Sequence, residues 1–252
     1  MRDMKRLRIF LDNVNLSSSS GPNSFARRLV SDMSAHGHTF VDGMGEEPVD
    51  VQLSFIAATC RRAPLVQRLD GVYFNTRQDN RHAMNAPLWR TYRIATCVIY
   101  QSHFNKRLVE TYWGQHPHSF VINNGTDTDG ILATAPSQHP ALGGFTDVWT
   151  CASSWRPHKR LLENVRYFLE CAPETVCLAI AGAFDPAEYA VPSHPRIVPR
   201  GDLPWAELVG LYRRSSHFIH LAYLDHCPNV VVDARAAGCH IVCSSSGGTQ
   251  EV

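Results

Sequence analysis

The sequence is poor in the features that fix a protein's class at a glance. No apolar run approaches the ~20 residues that a membrane-crossing helix needs. The opening MRDMKRLRIFLDN is basic, but only Ile9, Phe10 and Leu11 run together before Asp12, which reads as a first strand and not as a secretory signal. A net charge of +1 gives no electrostatic case for nucleic acid or for an anionic membrane surface. No C-x-x-C occurs among the eight cysteines and no H-x-x-x-H among the thirteen histidines, so neither a zinc-ligand pattern nor a dithiol redox motif is in view. The G-x-S-x-G elbow of α/β hydrolases and the G-x-G-x-x-G of dinucleotide enzymes are missing too. Most cysteines sit in apolar runs (ATCVIY, VWTCAS, TVCLAI, HIVCSS), where a free thiol behaves as a small hydrophobe. The expectation is a cytoplasmic protein with reduced thiols and no metal, in which the sequons NLS and NGT carry no meaning.

What is present is an α/β pattern. The 252 residues are 44% apolar and 19% charged, enough for a large core. Short apolar runs alternate with helical stretches, as in βαβ units around parallel sheets. LRIFLD leads to a helix from Ser24 to His36. TFVD, VDVQLSFI and GVYFN read as strands, and a helix follows near Asn80 to Ile94. CVIYQS, a helix from Phe104 to Trp113 and FVINNG close the first half. TDTDGILATAPSQHPALGGF has turn-forming residues and no period, so residues 126–146 are expected to link a domain at 1–125 to another at 147–252. Ligands of such sheets bind beyond the carboxyl ends of the strands, which directs attention to the loops NLSSSSGPN, NTRQDN, QSHFNK, NNGTD, SSWRPHK, YLDHCPN and SSSGGT.

Three of these loops carry chemistry. In LDHCPNVVVDARAAGC, residues 224–239, Pro228 marks a helix start and Gly238 its end. Asp225 precedes that helix and Asp233 lies inside it, where a short carboxylate is a poor helix former and needs a partner if buried. A helix N-terminus seats phosphate, so a carboxylate within the helix suits a ribose diol and one before it suits sugar hydroxyls. The plainer alternative makes Asp225 a dipole partner and Asp233 a solvent-facing neighbour of Arg235. In SSWRPHKRLLENV, Arg156, Lys159 and Arg160 gather between a strand end and a helix start, as a diphosphate requires, or else form a solvated basic surface. SSSGGT adds two glycines that let backbone approach a ligand. In the first half RLDGVYFNTRQDN places Arg68, Asp70, Asn75, Arg77, Asp79 and Asn80 around a strand exit.

SSWRPHKRLLENVRYF followed by HLAYLDHCPNVVVDARAAGCHIVCSSSGGTQEV resembles the donor domain of retaining glycosyltransferases of the GT-B fold, family 4 type. That family carries E-x(7)-E, a basic pair upstream and a Gly-Gly loop before Glu. Asp225 and Asp233 stand at the acidic positions, Arg156 and Lys159 at the basic ones, and Gly247, Gly248 and Glu251 at the last. SGPNSFARRLVSDMSAHGHTF, CVIYQSHFNKRLVETYWG and VINNGTD are similar to the family's N-terminal segments, so the likeness spans nearly the whole chain. It implies two Rossmann-like domains facing a central cleft. Family members continue past GGTQEV through further βα units, so the C-terminal domain is expected to be short, either a compact version or one with its final part missing.

The resemblance also implies a mechanism: metal-independent transfer of a sugar from a UDP-, GDP- or ADP-linked donor to a glycan or glycoconjugate acceptor, with no cofactor and with peripheral membrane contact left open. Arg156 and Lys159 take the diphosphate charge, Asp225 orients the transferred sugar and Asp233 holds the ribose. Asn229 and Val230 offer backbone N–H groups, and Ser154, Gly247 and Gly248 complete the donor side. Gly21, Asn23, Asp70 and Asn80 are the acceptor-side candidates. Both acidic positions carry Asp, one methylene shorter than Glu. Two rivals fit the same fold: a sugar-nucleotide epimerase, and a non-catalytic nucleotide-binding protein.

Overall fold

The computed structural model describes residues 5–252 except 19, 44, 46 and 75–78, with Pro186 described by its backbone alone. Asn75 and Arg77 therefore lie outside the described residues. The chain divides into two compact units, Met1–Asn124 and Gly125–Val252.

The first unit contains β1 (Arg8–Asp12), α1 (Gly21–Ala35), β2 (Thr39–Val41), β3 (Val51–Phe55), β4 (Leu65–Leu69), α2 (Arg81–Ile94), β5 (Cys97–Tyr100), α3 (His103–Trp113) and β6 (Ser119–Val121). Its strands pair in parallel in the order β2-β1-β3-β4-β5-β6. Two expectations change here. The first helix starts at Gly21 and not at Ser24, because Pro22 occupies its first turn, where a missing N–H costs nothing. The fourth strand is LVQRL, and GVYFN lies past its end. LVQRL hides from a hydrophobicity reading because Gln67 and Arg68 are polar yet buried. Gln67 Nε2 donates to the carbonyls of Ile56 at 2.6 Å and Leu88 at 3.2 Å, which satisfies both amide N–H groups.

The second unit contains α4 (Thr128–Ala133), β7 (Asp147–Ala152), α5 (Leu161–Cys171), β8 (Val176–Ala181), α6 (Pro186–Tyr189), β9 (Ile197–Gly201), α7 (Trp205–Arg214), β10 (His217–His220), α8 (Asn229–Ala236) and β11 (His240–Cys243). The parallel order is β11-β10-β7-β8-β9. Side chains alternate across this sheet with period two. Val148, Ala179 and Phe218 pack on one face with Tyr212 of α7 and Val231 of α8. Trp149, Cys151, Leu178, Ile180 and Ile219 pack on the other with Leu161, Val165 and Phe168 of α5. Both faces are covered, which is why these strands read as continuous apolar runs. Free thiols of Cys151, Cys177 and Cys239 are buried, and burial pushes each pKa up.

Residues 126–146 are not a bare linker. They carry α4 and a 3-10 turn at Pro140–Leu142, and Ile131 and Leu142 are buried in the second unit's core. The Ser137 N–H also donates to the Gly210 carbonyl of α7 at 2.8 Å. The turn-forming residues and the missing period mislead because Ile131 and Leu142 still dock the segment. No helix among the described residues is long and apolar enough to cross a membrane.

Candidate active site

In the second sheet β7 is flanked by β8 on one side and β10 on the other, so the chain reverses direction of winding between β7 and β10. Loops leaving two such strands diverge and open a crevice at their carboxyl ends. The loops in question are residues 153–160 and 221–228.

They are tied together before any ligand is considered. The Tyr223 N–H donates to the His158 carbonyl at 2.8 Å. Asn164, 1% exposed in α5, accepts from the Leu221 N–H at 2.9 Å and donates to the carbonyls of Arg160 at 3.0 Å and Lys159 at 3.3 Å. This asparagine escapes sequence reasoning, since it reads as one more polar position of an amphipathic helix. Arg160 and Leu224 have φ of 56° and 53°, a left-handed backbone unusual for residues with a Cβ. Each stands next to a member of the pair that follows, and such local strain persists only where surrounding contacts enforce it.

That pair is Lys159 and Asp225. The ammonium donates to Asp225 Oδ2 at 2.5 Å, and the two side chains are 19% and 14% exposed. His220 Nε2 lies 2.9 Å from the same oxygen, and the His226 N–H donates to Oδ1 at 3.1 Å. Burial alone would raise the Asp225 pKa. The His220 hydrogen bond and the Lys159 charge outweigh it and hold the carboxyl well below the usual range. His226 goes the other way: burial brings its pKa down to about 4, so the ring is neutral near neutral pH. The His158 pKa is lowered by burial and then by the neighbouring Lys159 charge. Arg156 and Ser154 are exposed on the same loop.

The Gly-Gly loop packs against this cluster. Gly247 has φ +82°, and a Cβ there would meet the Asp225 carbonyl oxygen at 2.5 Å. Gly248 N–H donates to that carbonyl at 2.7 Å. The close approach is to the backbone of Asp225, so the glycines position the carboxylate. Beyond it α8 begins with Asn229 and Val230, after Pro228, and no side chain caps the helix start. Its end matches the sequence signal, since Gly238 takes φ +97°.

Asp233 has partners that the sequence does not show. It is buried, but its partners belong to the chain: Thr126 Oγ1 donates to Oδ1 at 2.6 Å and Trp205 Nε1 to Oδ2 at 3.2 Å. The carboxylate that was expected to hold a ribose joins α8 to α7 and to the chain's entry into the second unit.

The first unit holds the acceptor-side candidates, at the start of α1, just past β4 and ahead of α2. Asp70 pairs with Arg68 and accepts from Gln101, while Arg68 also donates to Asn124 at 2.5 Å and lies 3.8 Å over the Phe25 ring. This is a buried network, in which burial raises the Asp70 pKa against the pull of Arg68. Asn23 accepts from the Asn15 N–H at 2.9 Å and donates to Ser20 Oγ at 2.9 Å, closing the loop before α1. Gly21 opens that helix, and Asn80 is exposed ahead of α2. Asp127 and Asp129 have the D-x-D spacing of many cation sites, but Asp127 caps α4 by accepting from the Gly130 N–H at 2.9 Å. No group of three or more potential metal ligands occurs among the described residues.

No family model matches the chain, and no curated protein matches it. Solved structures do. Sucrose-phosphate synthase from Thermosynechococcus elongatus superposes with a TM-score of 0.75 at 13% identity, over 98% of this chain and 83% of that one. HepE of Anabaena, solved with UDP-glucose, gives 0.70 at 16% identity over 98% and 82%. WaaG, a glycosyltransferase involved in lipopolysaccharide biosynthesis, gives 0.66 at 12% identity over 97% and 82%. At such low identity the likeness speaks to architecture, and the architecture is clear: two parallel α/β sheets in the arrangement of strands and helices that defines the GT-B fold of glycosyltransferases.

Proposed function

We propose that the chain is a retaining glycosyltransferase, moving a sugar from a nucleoside-diphosphate sugar to an acceptor hydroxyl. The observation that carries the reading is the Lys159–Asp225 pair at the carboxyl ends of β7 and β10, in a fold shared with solved glycosyltransferases. The pair supplies both kinds of group that such a donor needs. Lys159, with Arg156 on the same loop, provides cationic charge for the diphosphate, and charge aimed at a departing phosphate is a strong catalytic contribution. Asp225, ionised and acceptor-only, is suited to the hydroxyls of the transferred sugar. The start of α8 adds the positive end of a helix at Asn229 and Val230.

On this reading the bond between the anomeric carbon and the phosphate oxygen breaks, and its electron pair leaves with the diphosphate. The acceptor oxygen bonds to that carbon on the same face, and its proton passes to the departing phosphate oxygen. No protein nucleophile is required. Retention of configuration is supported by the likeness of residues 153–168 and 220–252 to retaining enzymes of family 4. Asp233 is given a structural role, tying α8 to Thr126 and Trp205, and the ribose is left unassigned.

The test is direct. UDP, GDP and ADP, with their glucose conjugates, are titrated calorimetrically into the chain. Turnover is then followed by NMR with and without an acceptor set, in the presence of EDTA. Transfer with retained anomeric configuration supports the proposal. Conversion of the sugar nucleotide without acceptor would assign an epimerase, and binding without turnover across the set would leave a nucleotide-binding protein. Activity lost in EDTA and restored by Mn²⁺ would overturn the charge role given to Lys159 and Arg156.

A further inference from the structure

We infer that His220 is a positioning residue that keeps Asp225 in place when Lys159 turns from it to a donor phosphate. The inference rests on the donor site proposed above.

Asp225 Oδ2 has two donors of unequal kind. Lys159 reaches it at 2.5 Å from a loop, on a flexible stem, partly exposed. His220 reaches it at 2.9 Å from the last position of β10, with its side chain only 4% exposed and its ring stacked at 15° with Phe218. Because the carboxyl of Asp225 is held in its ionised form, it can only accept, so His220 Nε2 must carry the proton. One donor is free to swing and the other is fixed by the sheet.

A lysine ammonium is a compact charge on a flexible stem, so moving toward a diphosphate weakens its contact with the buried carboxylate. If Lys159 leaves, a carboxylate this enclosed would be stranded, and a buried charge that loses its partner is strongly unfavourable. That cost would come off donor affinity. His220 removes most of it, because Oδ2 keeps one N–H donor and Oδ1 keeps the His226 N–H at 3.1 Å. This also explains a histidine at the end of the otherwise apolar stretch FIH, where its neighbours Phe218 and Ile219 are fully buried core.

The experiment measures calorimetric affinity of the full chain for UDP, GDP and ADP and for the parent nucleosides, in wild type, His220→Leu and His220→Gln. Leu removes the donor, whereas the Gln amide restores an N–H near the position of Nε2. In His220→Leu, affinity for the preferred diphosphate should fall about tenfold or more, that for its nucleoside should hold, and Gln should recover most of the loss. In a Lys159→Ala background His220→Leu should have no further effect on diphosphate affinity. Should Leu fail to fold, His220→Asn takes its place, since its amide stops short of Oδ2. Parallel loss of nucleoside and diphosphate affinity, or an unchanged diphosphate affinity, overturns the inference and leaves the donor site standing. Wild type that binds none of the nucleotides overturns both.

Discussion

The indole of Trp205 donates to Asp233 across 3.2 Å, and the hydroxyl of Thr126 donates to the other carboxylate oxygen at 2.6 Å. One buried carboxylate thus fastens three separate stretches of the second unit. Replacing it by Asn keeps the volume but removes the charge, and one of the two donors then faces an NH₂ group. Asp233→Asn should cost about 1–3 kcal/mol of stability in urea unfolding. Nucleotide affinity should be unchanged. Trp205→Phe should cost less than the additive value when combined with Asp233→Asn, because both remove the same contact. Lost nucleotide affinity at unchanged stability would return Asp233 to the ribose.

Lys159 makes a separable prediction. If its ammonium meets a diphosphate, Lys159→Ala should weaken nucleoside-diphosphate binding about ten- to hundredfold, the scale of one charge-assisted contact. The parent nucleoside should bind as before. The same substitution leaves Asp225 with His220 and a backbone N–H, so the melting temperature should drop as well. Equal loss for nucleoside and diphosphate would mean that only the fold had suffered.

These two sites show how much the sequence reveals. The start and stop of α8 were readable from Pro228 and Gly238, because capping is decided by residues adjacent in the chain. The Lys159–Asp225 pair was approachable too, since both residues stand on loops that leave the carboxyl ends of strands in one parallel sheet. The partners of Asp233 were not readable. Thr126 is 107 positions away and Trp205 is 28, and both sit in stretches that look like loop or surface. LVQRL was lost for a related reason: Gln67 and Arg68 are polar by composition but buried by virtue of partners that only the fold provides. Binary patterning sees burial only where burial is apolar.

Gly247 tests the geometry of the carboxylate itself. With φ +82° and the Asp225 carbonyl 2.5 Å from where a Cβ would stand, alanine is excluded both by its backbone preference and by contact. Gly247→Ala should therefore displace the Asp225 turn, lowering stability by roughly 1–3 kcal/mol. Donor binding should fall with it. Gly144, where an added Cβ meets nothing within 4 Å, is the control: Gly144→Ala should change neither quantity. A Gly247→Ala variant with wild-type stability and binding would show that the loop does not hold Asp225.

His226 separates from Asp225 along the pH axis. Burial depresses the histidine to about 4, with the Asp225 charge opposing and the Lys159 charge adding to the effect. In the unfolded chain a histidine titrates near ~6.5. Between those values the unfolded state binds a proton that the folded state refuses, so stability falls as pH falls from the upper value toward the lower. Above the window both states are neutral at this site and it contributes no slope. Below about 4 the folded ring is protonated too and the loss stops growing. The full drop is on the order of 3 kcal/mol. Asp225 acts elsewhere: its lowered pKa gives a contribution that is complete above the ordinary carboxylate value and is lost only in stronger acid. His158 is lowered as well and adds a part of the slope in the same direction, starting from the same unfolded value. Urea unfolding of wild type and His226→Gln at several points between about pH 7 and pH 4.5 measures the difference. The variant should lose most of the decline and keep the share that belongs to His158. Identical slopes in the two proteins would place the His226 ring in water.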